Sequence, residues 1–287
     1  MARFLVRLGT VALAALTVLV WSEPSQAAGV PPVEKKFTLP DGLAELSGLA
    51  MSARHPGVVY AHNDSGNPAE VFALDTATGA VRARLSVAGA RNVDWEAIAV
   101  GADDAGRPAL FLGDIGDNSG DRQQVTVYRV PEPEHLATGT VAATAFPVKF
   151  ADGPRDAESM FIDPKSNRLY VTSKVIFLPG RLYQAPLPLR AGQVNTLTPI
   201  GPAPSWATDA AYSPDGRAYV IRSGKPLGSD AAYVYDAGGD RIATVSLPAQ
   251  EQGESVTYFD RTSLLVGSEN DRQVWLVHLP PEAIPAS

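Results

Sequence analysis

The sequence predicts an all-β fold in which one four-stranded unit is repeated, and three observations carry that prediction. The chain of 287 residues holds 25 Gly and 24 Pro, which break it into short segments. Those segments are rich in Val, Ile, Tyr and Phe and are bounded by Asp-Gly, Pro-Asp-Gly and Asp-Pro-Lys turns, the punctuation of short strands. Five segments also share one pattern, a small or acidic residue followed by an apolar strand, a turn and a second strand. They are Leu46-Ser47-Gly48-Leu49-Ala50, Trp95-Glu96-Ala97-Ile98-Ala99, Ala157-Glu158-Ser159-Met160-Phe161, Thr208-Asp209-Ala210-Ala211-Tyr212 and Gly253-Glu254-Ser255-Val256-Thr257. Aligned on Ser47, Glu96, Glu158, Asp209 and Glu254, they recur every 45 to 62 residues. Four short strands in a unit of that length describe the blade of a β-propeller. A β-sandwich also has many short strands, but it gives no reason for an acid at the same place in each unit.

The first element is an address. Arg3 and Arg7 precede an uncharged run from Leu8 to Trp21, and Ser25 and Ala27 stand at the −3 and −1 positions of a cut before Ala28. The run is short for a membrane span. The expectation is a signal peptide over 1–27, a single propeller domain over 28–287, an extracellular product and no membrane span after the leader is removed. The chain has no Cys, which excludes disulfides and a lipid anchor at a cysteine. Arg outnumbers Lys, a bias associated with bacterial genomes of high GC content.

The strands then follow in order. A spare strand, Val33–Leu39, precedes the first unit. The second unit divides into Glu96–Gly101, Ala109–Gly113, Val125–Val130 and Ala143–Phe150. The third divides into Glu158–Asp163, Arg168–Ser173, Arg181–Ala185 and Thr196–Ile200, and the fourth into Asp209–Tyr212, Arg217–Ile221, Ala231–Tyr235 and Arg241–Leu247. The last unit supplies only Glu254–Tyr258, Ser263–Val266 and Gln273–Leu279. Pairing the spare strand with these three closes a ring of five blades and removes an exposed edge.

Composition narrows the function classes. With 45% hydrophobic and 19% charged residues the chain can bury a core, and its net charge of −7 excludes a basic nucleic-acid binder. No G-x-S-x-G elbow, zinc-spaced histidine pair or phosphate-cradling loop is present.

In a propeller the first strand of each blade lines the channel, and the loop entering it shares a face with the loop leaving the second strand. Glu96, Glu158, Asp209 and Glu254 are thereby expected to point toward one axis, where like charges must be offset. A divalent cation held by oxygen ligands, calcium by donor type, is one solution. A shared proton and a ring of ion pairs with neighbouring Arg and Lys are the others. Around the metal positions, His62, Asn63, Asp64, Asp114, Asp117, Lys174, Arg222 and Asn270 are candidate ligand-binding residues, the basic ones suiting a small anionic ligand.

The segments Asp94-Trp95-Glu96-Ala97-Ile98-Ala99, Leu112-Gly113-Asp114-Ile115-Gly116-Asp117-Asn118 and Gly253-Glu254-Ser255-Val256 resemble secreted bacterial propellers of unassigned role. A channel-facing acid opening several blades is similar, more distantly, to the calcium-dependent propellers: gluconolactonase and regucalcin, β-propeller phytases and phytase-like esterases. That resemblance implies a divalent metal at the channel mouth, with Glu96, Glu158, Asp209 and Glu254 at the matching positions. The five repeats differ from the six blades of those families. Two functions follow as expectations. One is a secreted, monomeric binding protein that recognises a cell-wall component or another exported protein. The other is a metal-dependent hydrolase of phosphoesters, esters or lactones.

Overall fold

The computed structural model describes residues 32–224 and 230–285; the leader expected over 1–27 lies outside them. The strands are β1 (Val33–Thr38), β2 (Leu46–Met51), β3 (Val58–Asn63), β4 (Glu70–Asp75), β5 (Val81–Ala88), β6 (Trp95–Ala102), β7 (Pro108–Asp114), β8 (Val125–Pro131), β9 (Gly139–Ala142), β10 (Thr144–Phe150) and β11 (Ala157–Ile162). They continue as β12 (Leu169–Ser173), β13 (Gly180–Gln184), β14 (Asn195–Ala203), β15 (Ala207–Tyr212), β16 (Ala218–Ser223), β17 (Ala231–Asp236), β18 (Arg241–Ser246), β19 (Gly253–Asp260), β20 (Ser263–Ser268) and β21 (Gln273–His278). A short 3-10 helix, Pro281–Ala283, packs on β18. No helix among the described residues is long and apolar enough to cross a membrane.

Hydrogen bonding joins these strands into antiparallel meanders. One sheet runs β2-β3-β4-β5-β9, another β15-β16-β17-β18, and a third β1-β21-β20-β19. The eight-stranded sheet contains two meanders, β6-β7-β8-β10 and β11-β12-β13-β14, joined where β10 and β14 pair in parallel. β9 lies parallel to the outer strand β5. These two parallel contacts seal outer edges that would otherwise present unpaired backbone groups. They also explain the long second repeat, whose extra residues cross to the neighbouring sheet as β9 before returning as β10. The spare N-terminal strand β1 pairs antiparallel with β21, with Val33 opposite Val277 and Thr38 opposite Gln273.

The innermost strands touch in a cycle: β2 packs on β6, β6 on β11, β11 on β15, β15 on β19, and β19 on β2. The core accordingly forms as apolar layers between successive meanders. Tyr60, Val71 and Leu85 meet Leu110 and Tyr128 in one layer, and Phe111, Val127 and Phe146 meet Met160, Val171 and Tyr183 in the next. The layer between β11–β14 and β15–β18 is aromatic, with Phe161 stacked on Tyr170 and Tyr219. Val220 and Val234 pack on Val256 and Leu264, and Leu265 and Leu276 pack on Leu46 and Val59, which completes the circuit. Strands in such a stack bury both faces, which is why β3, β11, β16 and β20 are buried along their whole length. The cyclic arrangement of radial four-stranded sheets is a β-propeller.

One irregularity recurs in every inner strand. The pairing register slips by one residue between Leu46 and Gly48, Trp95 and Ala97, Ala157 and Ser159, Ala207 and Asp209, and Gly253 and Ser255. The residues skipped are Ser47, Glu96, Glu158, Thr208 and Glu254. A β-bulge leaves its extra residue outside the ladder and re-aims its side chain. Five bulges at one level therefore deliver five side chains to the same end of the inner strands.

Candidate functional site

Four of the bulge residues belong to one polar cavity. Ser47, Glu96, Glu158 and Glu254 line it together with Asp64, Asn118, Lys174, Gln252 and Glu269. Its volume is about 150 Å³. Larger clefts exist among the described residues, including a shallow one of about 390 Å³ by Pro179, Arg181 and Pro199, but the walls of the two deeper ones are largely aromatic or aliphatic. One of about 650 Å³ lies by Phe161, Tyr170 and Tyr235, and one of about 360 Å³ lies at the opposite end of the inner strands by Leu49, Met51, Ile98 and Phe259. The small cavity is the one with concentrated charge.

Glu96 is buried, and Ser47 Oγ donates to its Oε2 at 3.0 Å. Beside it, ligand atoms of Asp64, Asp94 and Glu96 all lie within 4.8 Å of one another. Gly116 makes that approach possible, since a Cβ there would stand 2.4 Å from Asp94 Oδ2 and 2.8 Å from Glu96 Oε1. On the other wall Lys174 Nζ forms an ion pair with Glu158 Oε1. The second oxygen, Glu158 Oε2, is buried with no hydrogen-bond partner.

The titration behaviour follows from this crowding. Burial first, then Glu158, Asp64, Asp94 and Glu254, hold the Glu96 carboxyl well above its ordinary value. Burial and Glu254 do the same to Glu158, against the opposing pull of Lys174. Glu254 is pushed up to about 7 by burial, with Lys174 and Arg222 acting against it. Asp94 is raised to about 6 by burial and by Asp64 and Asp156. Burial also raises Asp64 and Glu269. For Lys174 burial favours the neutral amine, but Glu158, Glu254 and Glu96 outweigh it and raise its pKa. At an effective dielectric of about 20, two carboxylates 4.8 Å apart repel by about 3 kcal/mol. One ammonium cannot offset six such groups when all are ionised, and protons retained on the raised carboxyls are the other way the charge is lowered.

Of the residues singled out in the sequence, the structure brings Glu96, Glu158, Glu254, Asp64 and Lys174 to this cavity and places the others elsewhere. Asp209 is the first correction. It is fully buried and accepts from Ala210 N at 2.8 Å and Val256 N at 2.7 Å, which ties β15 to β19. Burial raises its carboxyl well above the ordinary value, and those two amides oppose the shift. The bulge residue of that strand is its neighbour Thr208, buried with an unpartnered Oγ1. Arg222 is likewise structural. Its guanidinium is buried and donates to Asp230 Oδ2 at 2.5 Å, Ser255 O at 3.0 Å and Gly267 O at 2.7 Å.

Asp114 receives Asp94 N and Arg122 Nη2 at 3.0 Å each, and Asp117 accepts from Asp121 N and Arg122 N. Both shape the loop that presents Gly116 and Asn118. Asn63 accepts from Glu45 N and donates to Gly42 O, an internal brace. His62 packs edge-on to Trp95, donates from Nδ1 to Asn63 O at 3.0 Å, and is driven down to about 4 by burial, so it is neutral. Asn270 is exposed and donates to Gln252 Oε1 at 2.7 Å, touching the rim from outside.

Sequence reasoning left Ser47, Asp94, Asn118, Gln252 and Glu269 out of the candidate set. Asp94, Asn118 and Glu269 stand in the loops expected on this face, so position was the available signal. Gln252 carries none.

No protein-family model matches the sequence, and no curated protein matches it significantly. Among solved structures, a gluconolactonase from Xanthomonas campestris is 13% identical, with 88% of this chain and 87% of that one covered and a TM-score of 0.48. A β-propeller domain from Myceliophteria thermophila is 11% identical over 88% of this chain and all of its own length, with a TM-score of 0.45. The hydrazine synthase of Kuenenia stuttgartiensis is 15% identical over 80% of this chain, with a TM-score of 0.44, and the match spans 57% of its length. At such scores none of the three bears on the activity, and the all-β propeller architecture rests on the strand pairing itself.

Proposed function

We propose that the chain is a five-bladed β-propeller whose acidic channel mouth binds a divalent cation, calcium by the chemistry of its donors, in a binding rather than a catalytic role. The observation that carries this reading is the buried, unpartnered Glu158 Oε2 in a cavity walled by further carboxylates. A buried carboxyl oxygen without a partner is costly unless a cation or a proton meets it, and the open side of the cavity gives a cation access. Asp64, Asp94 and Glu96 would hold the ion, with Glu158, Glu254, Asn118, Gln252 and Ser47 as further oxygen donors. Hard oxygen ligands in that number suit calcium. Bound there, the ion supplies positive charge where six carboxylates converge.

Size favours an ion over an organic substrate. About 150 Å³ amounts to about five water volumes, whereas organic ligands occupy pockets of about 300–1,000 Å³. The excess of carboxylates also disfavours the small anionic ligand expected from the sequence. A hydrolase is separated from a binding module by turnover, measured on a panel of esters, lactones and phosphoesters. We further assign the chain to the outside of the cell, on the leader-like residues 1–27.

Thermal unfolding in calcium and in chelator tests the cation. At a hundredfold excess over Kd a ligand stabilises by about 2.7 kcal/mol, which for a chain of this size moves Tm by about 5–10 °C. The Gly116→Ala variant, whose Cβ intrudes between Asp94 and Glu96, should keep its Tm in chelator and lose at least tenfold in calcium affinity. A Tm equal in calcium and chelator overturns the reading.

A further inference from the structure

The cavity already contains one cation, and its placement indicates a role. Lys174 follows β12 directly, and its backbone N donates to Asp156 O at 3.0 Å, which fixes the stem of the side chain. Its ammonium pairs with Glu158 Oε1 and lies 5.6 Å from the centre of the Trp206 ring. Trp206 is itself held by its backbone N–H donating to Val175 O at 2.9 Å, in a left-handed conformation at φ +54°. The side chain is 17% exposed, against 5% for Glu158, so Lys174 enters the cavity from the solvent side. Glu158 thus has one oxygen on the ammonium and the other, Oε2, buried without a partner.

We propose that Lys174 is a tethered cation that sets the ion selectivity of this cavity, excluding sodium and potassium and admitting only a divalent ion. The inference rests on the cation-binding reading above and goes beyond it. A tethered group acts at a high effective concentration, because the chain has already restricted its position. A monovalent ion that displaced Lys174 would exchange one unit charge for another and lose the tether. A divalent ion brings two charges to a cavity in which Asp64, Asp94, Glu96 and Glu254 exceed what one ammonium can offset. Discrimination then follows from ion charge, with cavity size secondary. The Trp206 face gives the displaced ammonium a second contact when Glu158 turns to the ion.

Thermal unfolding and calcium titration calorimetry on the wild type, Lys174→Met, Lys174→Gln and Lys174→Arg test this. In the wild type, NaCl and KCl should raise Tm no more than choline chloride at the same ionic strength, while calcium raises it. Lys174→Met and Lys174→Gln should bind calcium at least tenfold more tightly and gain a Tm response to sodium or potassium over choline. Lys174→Arg should behave as the wild type. A wild type stabilised by sodium or potassium over choline overturns the proposal even if no variant folds. So do folded Met and Gln variants that bind calcium no better and stay indifferent to monovalent ions. If neither wild type nor variants respond to calcium, the cation reading itself fails, a result distinct from a calcium-binding protein in which Lys174 has no effect.

Discussion

Removing the charge of Glu254 should stabilise the calcium-free protein, and by an amount that grows with pH. Its carboxyl moves from an ordinary 4.5 to about 7 on folding, chiefly through burial. Between these values the folded protein holds a proton that the unfolded chain has released. Stability therefore falls as pH rises through that window and levels off above it. Linkage with these two values gives a cost below about 1 kcal/mol at pH 5 and of about 3 kcal/mol at pH 8. Glu254→Gln removes the ionisation and keeps the shape. In chelator the variant should exceed the wild type by less than about 1 kcal/mol at pH 5 and by about 3 kcal/mol at pH 8.

The comparison must be between proteins, because the raw pH profile contains an opposing contribution. His62, lowered to about 4, stays neutral when folded and takes up a proton on unfolding below pH 6.5, so it destabilises the protein as pH falls. That contribution is common to wild type and variant and cancels in the difference. Urea unfolding at pH 5 and pH 8, with and without calcium, supplies the numbers. In saturating calcium the order should invert, since the variant has lost an anionic donor. A stability difference independent of pH, or a variant less stable than wild type in chelator at pH 8, would refute the electrostatic account of the cavity.

Two further substitutions separate scaffold from site. Gly253→Ala places a Cβ 1.7 Å from Arg222 Nη2 and 2.2 Å from Asp230 Oδ2 and so disrupts a buried ion pair; a loss of about 3–5 kcal/mol is expected in urea unfolding. Asp209→Asn retains one amide acceptor where the carboxylate had two, and should cost about 1–3 kcal/mol while leaving the calcium-induced Tm shift unchanged.

Much of the architecture was legible because a repeated strand-turn grammar survives in the sequence. Strand positions in the second, third and fourth units agree with the structure to within about two residues at most ends, and Val33–Thr38 pairs where a missing outer strand was expected. β9 was not legible: Gly139-Thr140-Val141-Ala142 is short and mostly exposed, and its pairing with β5 is a non-local edge contact without a hydrophobic signature. In the site, Glu96, Glu158 and Glu254 were legible because an acid at a bulge leaves a chemical mark in the repeat. Asp209 misled because alignment by residue type chose the acid, whereas the bulge falls one residue earlier, at Thr208. In a strand, an offset of one turns a side chain to the other face. Arg222 was indistinguishable from a surface arginine, since its buried partners Asp230, Ser255 and Gly267 are brought by other strands.

The bulges also explain why the chain tolerates such concentrated charge. A regular strand alternates its side chains between the two neighbouring layers, both apolar here, and would have to bury a glutamate against Leu, Val or Phe. The bulge takes one residue out of that alternation and leaves the ladder intact on either side, as the pairs Ala157 with Ser173 and Ser159 with Thr172 flank Glu158. Each blade can therefore vary its bulge residue with little consequence for its core. Here the cycle carries hydroxyls from β2 and β15 and carboxylates from β6, β11 and β19. In strand order Glu96 and Glu158 are neighbours and Glu254 is flanked by Ser47 and Thr208, yet Glu254 is the charge that acts most strongly on Glu158. Lys174 pairs with the middle of this unequal set. The charge pattern of the mouth is thus set by five bulge positions together with the loop residues Asp64, Asp94, Lys174 and Glu269, all of them separable from the apolar layers that build the fold.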